Sequence, residues 1–204
     1  MSETISLGIP GLSVPPGTHI CAFYSGATGR DEIVVPFLAE GIRAGQRCIC
    51  ILDTLRPADV LARLSTHVDP GDSVQTGQLT LGTPVDAYLA SGQFRTEDML
   101  RYWQHEAKAP HGPYVSFARV AGEMPSVLDN PDGRAEFFRY ESMLNVAAGL
   151  PEVILCLYDL ERYGAAVMMN VLQTHPRVIV NNTIRNNPDF IEPSLYLARK
   201  PADD

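Results

Sequence analysis

The chain has 204 residues, 45% hydrophobic and 20% charged, a balance that builds a packed core and excludes intrinsic disorder. Sixteen Lys and Arg against 24 Asp and Glu leave a formal net charge of −8. That excludes a general binder of DNA, RNA or anionic membrane, because no excess of cations offsets phosphate or headgroup charge. No apolar run approaches the ~20 residues that span a bilayer, no apolar leader follows a basic start, and four Cys in such a chain point to reduced thiols in a cytoplasm.

Residues 1–17, with Pro10, Pro15, Pro16 and Gly17, read as a loose lead-in to a single domain over residues 18–199, and residues 200–204 as a frayed acidic tail. The first strand is expected over residues 18–24. A glycine turn, residues 25–29, leads to a helix starting near Asp31, with Ile33, Val34, Phe37, Leu38 and Ile42 at spacings of three and four. Gly41 and Gly45 weaken and end it, and Pro36 reads as a first-turn proline if the helix starts late. The apolar run of residues 46–52 suits a strand covered on both faces. Pro57 opens a helix carrying Val60, Leu61, Leu64 and Val68, and residues 78–81 form a short strand. Thr96 caps a helix of Met99, Leu100, Trp103 and Ala107, and residues 114–120 are the next strand. The longest helix is expected over residues 133–148, with Phe137, Tyr140, Leu144 and Ala147 on one stripe. Residues 153–158 form a buried strand and residues 165–173 a helix. Residues 177–184 and 194–198 close the chain as an antiparallel strand pair. This alternation predicts an α/β fold, a three-layer sandwich with a mainly parallel central sheet, whose ligands sit beyond the carboxyl ends of the strands.

Several groups of residues carry chemistry, each beside a plainer role. The turn Gly26-Ala-Thr-Gly29-Arg30-Asp31 lies between a strand and a helix, the context of a phosphate loop. Its glycine spacing is two residues short, Arg30 stands where the loop needs Lys, and Asp31 replaces the Mg²⁺-binding hydroxyl. Nucleotide hydrolysis is therefore disfavoured, although the amides around Gly26 and Gly29, with Arg30, could hold a small anion. The strand ending in Asp159 has the shape of a Mg²⁺-binding strand, but capping the next turn is the simpler role. His19 and Cys21 alternate on one strand, and Cys48 and Cys50 on another. A Cys₃His zinc site would need those faces to meet, whereas thiols inside apolar strands usually act as small hydrophobes, so no metal is assigned. Neither a G-x-S-x-G nor an H-E-x-x-H pattern occurs, and no catalytic residue is assigned. Arg119 and Glu123 form either an ion pair or a pocket mouth. Glu141 and Asn145, one helical turn apart, form either a solvated face or a polar pocket wall. His175, at a helix end before Pro176, fits an interaction with the helix dipole.

The order of these pieces resembles the MEDS family, the methanogen/methylotroph sensory domain. The matching segments are His19-Ile-Cys-Ala-Phe-Tyr24, Val35-Pro-Phe-Leu-Ala-Glu-Gly-Ile42 and Gly45-Gln-Arg-Cys-Ile. They continue with Arg119-Val-Ala-Gly-Glu-Met124, Arg139-Tyr-Glu-Ser-Met-Leu-Asn145 and Leu155-Cys-Leu-Tyr-Asp-Leu-Glu-Arg162, then Thr174-His-Pro-Arg-Val-Ile179 and Asn186-Asn-Pro188. The resemblance implies a RecA/KaiC-like fold that has lost a working phosphate loop. It also implies a non-catalytic sensory role, in which a small organic molecule binds and the signal passes to a separate regulatory protein (a kinase, an anti-sigma factor or a transcription factor) or through self-association. The cofactor and the ligand's identity stay open. The expected pocket lies at the carboxyl ends of the first, fourth and fifth major strands, lined by Tyr24, Arg119, Glu123, Glu141, Tyr158, Asp159 and His175. Two rival readings are a nucleotide-binding switch, with phosphate at residues 26–30 and a metal at Asp159, and a protein–protein adaptor without a ligand.

Overall fold

A computed structural model describes residues 4–83, 87, 92–108, 118–147 and 153–199. The chain opens with a two-stranded antiparallel ribbon, β1 (Ile5–Ser6) and β2 (Ser13–Val14). The expectation of a loose lead-in is corrected here. Ile5, Leu7, Ile9, Leu12 and Val14 are all buried in the main core, so the apolar residues of this segment hold it down while its glycines and prolines make the bends.

β3 (Thr18–Tyr24) passes into α1 (Gly26–Arg43) through Ser25 alone. The helix therefore starts before Asp31, and Pro36 lies inside it rather than in its first turn. Its end is a Schellman motif: Gly45, at φ +64, donates to the Ile42 carbonyl at 3.1 Å, and Gln46 donates to the Gly41 carbonyl at 2.9 Å. β4 (Arg47–Leu52) is buried along its whole length. It is followed by α2 (Pro57–Leu64), β5 (Leu79–Gly82) and α3 (Thr96–Lys108). β6 (Ala118–Glu123) runs further than expected at its end, and the expected start at residues 114–117 lies outside the described residues. Next come α4 (Pro125–Leu128), α5 (Pro131–Met143), β7 (Val153–Asp159) and α6 (Ala165–Thr174). Prolines at the first turn start α2, α4 and α5, where their missing N–H costs nothing.

The antiparallel pair at the carboxyl end is confirmed, but its members differ. β8 (Arg177–Val180) and β9 (Thr183–Asn186) are joined by Asn181-Asn182. Both asparagines have positive φ, 49° and 53°, the geometry of a two-residue hairpin turn that Asn tolerates. Residues 194–198, expected as a strand, instead fall largely within α7 (Pro193–Leu197).

Among the described residues, seven strands form one sheet in the order β5-β4-β6-β7-β3-β8-β9, parallel except for β9. Side chains alternate across it. Ile20, Ala22, Tyr24, Cys48, Cys50, Ala121 and Leu155 pack toward α1 and α2, whereas Cys21, Ile49, Ile51, Val120, Ile154, Cys156 and Tyr158 pack toward α3, α5 and α6. This is the three-layer α/β sandwich, with one core on each side of the sheet. Among the described residues, no helix is long and apolar enough to cross a membrane.

Candidate functional site

The alternation that builds the two cores also divides the expected pocket. Arg119 and Glu123 share one face of β6, the α1 side, but stand four residues and about 13 Å apart along it. Arg119 is a structural cation beneath α1. It donates to the Phe37 carbonyl at 2.8 Å, to the Ser6 carbonyl at 3.3 Å and to Gln46, and its guanidinium lies 4.9 Å from the centre of the Phe37 ring. It is buried and ties the amino-terminal ribbon, α1 and the sheet together.

Glu123 and Tyr24 meet at the carboxyl ends of their strands. The Tyr24 hydroxyl and the Thr54 hydroxyl each donate to a different oxygen of Glu123. Arg30, buried in α1, donates to Thr54 Oγ1 at 2.6 Å and to Asp31 at 2.9–3.0 Å, and Arg63 donates to the other oxygen of Asp31 at 2.6 Å. Burial, then the bond to Glu123, pushes the Tyr24 phenol well above its usual pKa. Arg30 thus points into an internal network. Gly26 and Gly29 belong to the first turn of α1, and the Gly26 N–H lies 3.5 Å from Asp159 Oδ1, which also accepts from the Glu161 N–H at 2.9 Å. A side-chain carboxylate therefore stands at the helix start, where the sequence offered an anion position.

Glu141, Tyr158 and His175 lie on the opposite face, and the structure brings them together with two residues outside the expected set. His19 and Cys156 project from β3 and β7, whose parallel register pairs Cys21 with Cys156 and His19 with Ile154. Glu141 comes from α5. His175 caps the end of α6 in an extended conformation, as a residue before proline prefers. His19 Nε2 and His175 Nε2 each stand 3.1 Å from the same oxygen, Glu141 Oε2. Cys156 Sγ is 3.3 Å from His19 Nε2 and 3.6 Å from Glu141 Oε2. All four residues are buried.

The outer ring nitrogens fix the tautomers. His175 Nδ1 sits 2.7 Å from the Val171 carbonyl, which can only accept. His19 Nδ1 sits 3.2 Å from Asn145 Oδ1, and Asn145 Nδ2 faces three carbonyls, Glu141, Ser142 and Thr174, at 2.8–3.2 Å. Asn145 must therefore point its oxygen at His19. Each Nδ1 carries the proton, and in the neutral rings both Nε2 lone pairs face the Glu141 oxygen. Burial, then the neighbouring His175, lowers the pKa of His19. For Glu141 burial works upward, but His175 and His19, when protonated at Nε2 as well, donate to it and outweigh burial, so its pKa is lowered. Burial, then Glu141, pushes the Cys156 thiol up.

A cavity of about 30 Å³ opens beside this cluster, between the sheet, α3 and α5. Ile51, Met99, Trp103, Val120, Phe137 and Ile154 make most of its wall, and Glu141, Cys156, Tyr140 and Tyr158 are its polar members. The Tyr158 hydroxyl is buried and meets no hydrogen-bond partner among the described residues. Its ring packs edge-on against His175, with centroids 5.6 Å apart. Burial, then Glu141, raises its phenol pKa well above the usual value.

The cysteine–histidine zinc arrangement considered from sequence does not form. β3 and β4 are separated by β6 and β7, and Cys48 and Cys50 face α1 and α2 while Cys21 faces the other core. The sequence signal for Cys156 was strand parity: it lies two residues before Tyr158 and on the same face. No sequence signal paired His19 with residues from α5 and α6.

Comparisons with known proteins agree with this architecture. A KaiC-like protein from the archaeon Pyrococcus horikoshii superposes with a TM-score of 0.61 at 16% identity, over 87% of this chain and 80% of that one, a likeness of fold alone. The transcriptional repressor DcmR of Methylorubrum extorquens is 27% identical over 172 residues, 82% of this chain, and the chain spans 61% of that protein's length. The profile of the MEDS family, the "MEthanogen/methylotroph, DcmR Sensory domain", matches residues 18–176. These residues cover β3 through α6 and both polar clusters, and the chain belongs to the MEDS family of sensory domains.

Proposed function

We propose that this sensory domain is a non-catalytic receptor that binds a small organic molecule in the cavity beside Glu141 and Tyr158, and passes the signal to a regulatory protein. The observation that carries the proposal is the Tyr158 hydroxyl, a buried polar group that meets no hydrogen-bond partner among the described residues, in the wall of an otherwise mostly apolar cavity. Leaving such a hydroxyl unpaired costs about 1–3 kcal/mol, and a guest that accepts its proton recovers that energy. Sites of this kind combine an apolar lining with a few placed polar groups. At about 30 Å³ the cavity holds roughly twice the space a single water needs, so its guest has few non-hydrogen atoms unless the walls give way. That the DcmR relative is a transcriptional repressor favours a transcription regulator as partner, over a kinase or an anti-sigma factor.

The test is a thermal-shift and calorimetric survey of short-chain alcohols, ethers and amides against the wild type and Tyr158→Phe. At least one compound should raise the wild-type Tm, and the substitution should weaken it about tenfold, the equivalent of one hydrogen bond of ~1.4 kcal/mol. A survey in which nothing shifts the wild type, or in which Tyr158→Phe binds equally well, sinks the reading. The nucleotide switch has less support, since Arg30 is engaged with Thr54 and Asp31. Titration with ATP and Mg²⁺ decides it by the presence or absence of binding heat.

A further inference from the structure

We propose that His19, Glu141, Cys156 and His175 are the four ligands of a buried divalent metal ion of the zinc class. The proposal stands on the geometry of these donors and does not depend on the sensory reading.

Three features lead to it. The first is distance. A tetrahedral zinc ion with N, O and S ligands at 2.0–2.3 Å spaces its donor atoms about 3.3–3.8 Å apart. Four of the separations in this cluster are 3.1, 3.1, 3.3 and 3.6 Å, and one donor atom from each residue lies within 4.8 Å of all the others. Two imidazoles, a thiol and a carboxylate from β3, α5, β7 and the end of α6 thus converge on one point.

The second feature is proton accounting. Both Nδ1 atoms donate outward, to Val171 and to Asn145, so in the neutral rings both Nε2 lone pairs aim at one carboxylate oxygen. The single Cys156 S–H can bridge only one of these contacts. His175 Nε2 has no properly directed hydrogen bond among the described residues, although it lies 3.1 Å from Glu141 Oε2. Lone pairs directed at each other in a buried site repel, and a cation between them turns every contact attractive. Loading would release the thiol proton, leaving thiolate, carboxylate and two neutral imidazoles around the ion.

The third feature is the surrounding shell. Metal-bound histidines usually donate their other ring nitrogen to a carbonyl or carboxylate, which fixes the ring and strengthens the ligand. Both rings have that arrangement here, and Asn145 is itself locked by three carbonyls. An imidazole–thiolate–carboxylate set selects zinc, or iron(II) and cobalt(II), over the hard cations Mg²⁺ and Ca²⁺. Four protein donors close the coordination sphere, the pattern of a structural site. The ion would then pin α5 and α6 to the sheet beside the cavity.

The test uses the untagged full chain. Elemental analysis of the purified protein should find close to one zinc or iron per chain. After chelation, titration with Co²⁺ should produce the visible bands of tetrahedral cobalt together with near-ultraviolet thiolate-to-cobalt charge transfer, both saturating at one equivalent. Cys156→Ser should abolish the charge-transfer band, whereas Cys48→Ser, on the opposite face of the sheet, should leave it intact. Asn145→Ala should weaken cobalt binding roughly 10–100-fold. The wild-type titration needs no variant to fold. If folded wild-type protein carries no metal and stays colourless with Co²⁺, protons alone hold the cluster and the proposal is overturned. It is equally overturned if Cys156→Ser keeps the charge-transfer band, which would place the ion elsewhere.

Discussion

The rings of His19 and His175 stand 4.1 Å apart, centroid to centroid, and tilted by 44°. They are too tilted to stack face to face, and their nearest common neighbour is one oxygen of Glu141. What holds them so is the outer side of each ring, where the Val171 carbonyl and the Asn145 oxygen both demand a donor. Nitrogen-15 spectra of histidine-labelled protein at neutral pH should therefore show both rings protonated at Nδ1. A ring protonated at Nε2 alone would mean that the corresponding acceptor has turned away, and the convergence of lone pairs would be lost.

At Gly41, α1 lies close against side chains of the sheet. A Cβ built there meets Arg119 Cδ at 2.7 Å, and Cys48 Sγ more closely still. Neither neighbour can retreat, since Arg119 is bound to Phe37, Ser6 and Gln46 and Cys48 is buried in β4. Gly41→Ala should destabilise the protein by about 1–3 kcal/mol, the cost of overpacking a core, despite alanine's higher helix propensity. Urea denaturation measures it. The same substitution in a Cys48→Ala background should cost less, because one of the obstructing atoms is gone. Equal costs in the two backgrounds would mean that α1 shifts as a whole.

The sequence carried the fold further than it carried the site. Apolar runs such as residues 46–52 and 153–158 announced buried parallel strands, and the spacing of Ile33, Phe37 and Leu38 announced α1. Two local errors came from short signals. Asn181-Asn182 makes a hairpin turn without glycine, which hid the boundary between β8 and β9. Pro193 at a first turn outweighed the β-leaning look of Leu195 and Tyr196. The site was harder because it depends on sheet order. Arg119 and Glu123 look like partners in sequence, but a strand of six residues carries them to opposite ends. Glu141 lies on α5 and His175 just past the end of α6, and only the return of β7 to the side of β3 brings both against His19. Parity could place His19, Cys156 and Tyr158 on faces, but not on the same face of adjacent strands.

Tyr24 donates to Glu123 at the carboxyl end of the sheet, and Thr54 satisfies the other oxygen of the same carboxylate. Tyr24→Phe deprives a buried acceptor of its donor, at a cost of about 1–3 kcal/mol. Glu123→Gln keeps the shape but offers an NH₂ where one of two donors already points. A double-mutant cycle between the two positions should return a coupling of about 0.5–3 kcal/mol. A coupling near zero would show that solvent, not Tyr24, satisfies Glu123. Ligand binding in the cavity on the other face should be unchanged in either variant, and that separates this network from the sensory site.

Two tyrosines in the cavity wall make the last prediction. The Tyr140 hydroxyl accepts from Trp103 Nε1 at 2.8 Å, whereas the Tyr158 hydroxyl meets no partner among the described residues. Removing a hydrogen-bonded hydroxyl loses a net contribution of about 0.5–1.5 kcal/mol, but removing a buried unpaired one relieves a desolvation penalty of about 1–3 kcal/mol. Tyr140→Phe should therefore destabilise the protein, and Tyr158→Phe should leave it as stable or more stable, although both delete one oxygen from the same cavity. Paired urea titrations at neutral pH read the sign directly. A Tyr158→Phe variant that loses more than about 1 kcal/mol would show that the hydroxyl is already satisfied in the ligand-free protein. The cavity would then lose the unpaired group that makes it a receptor.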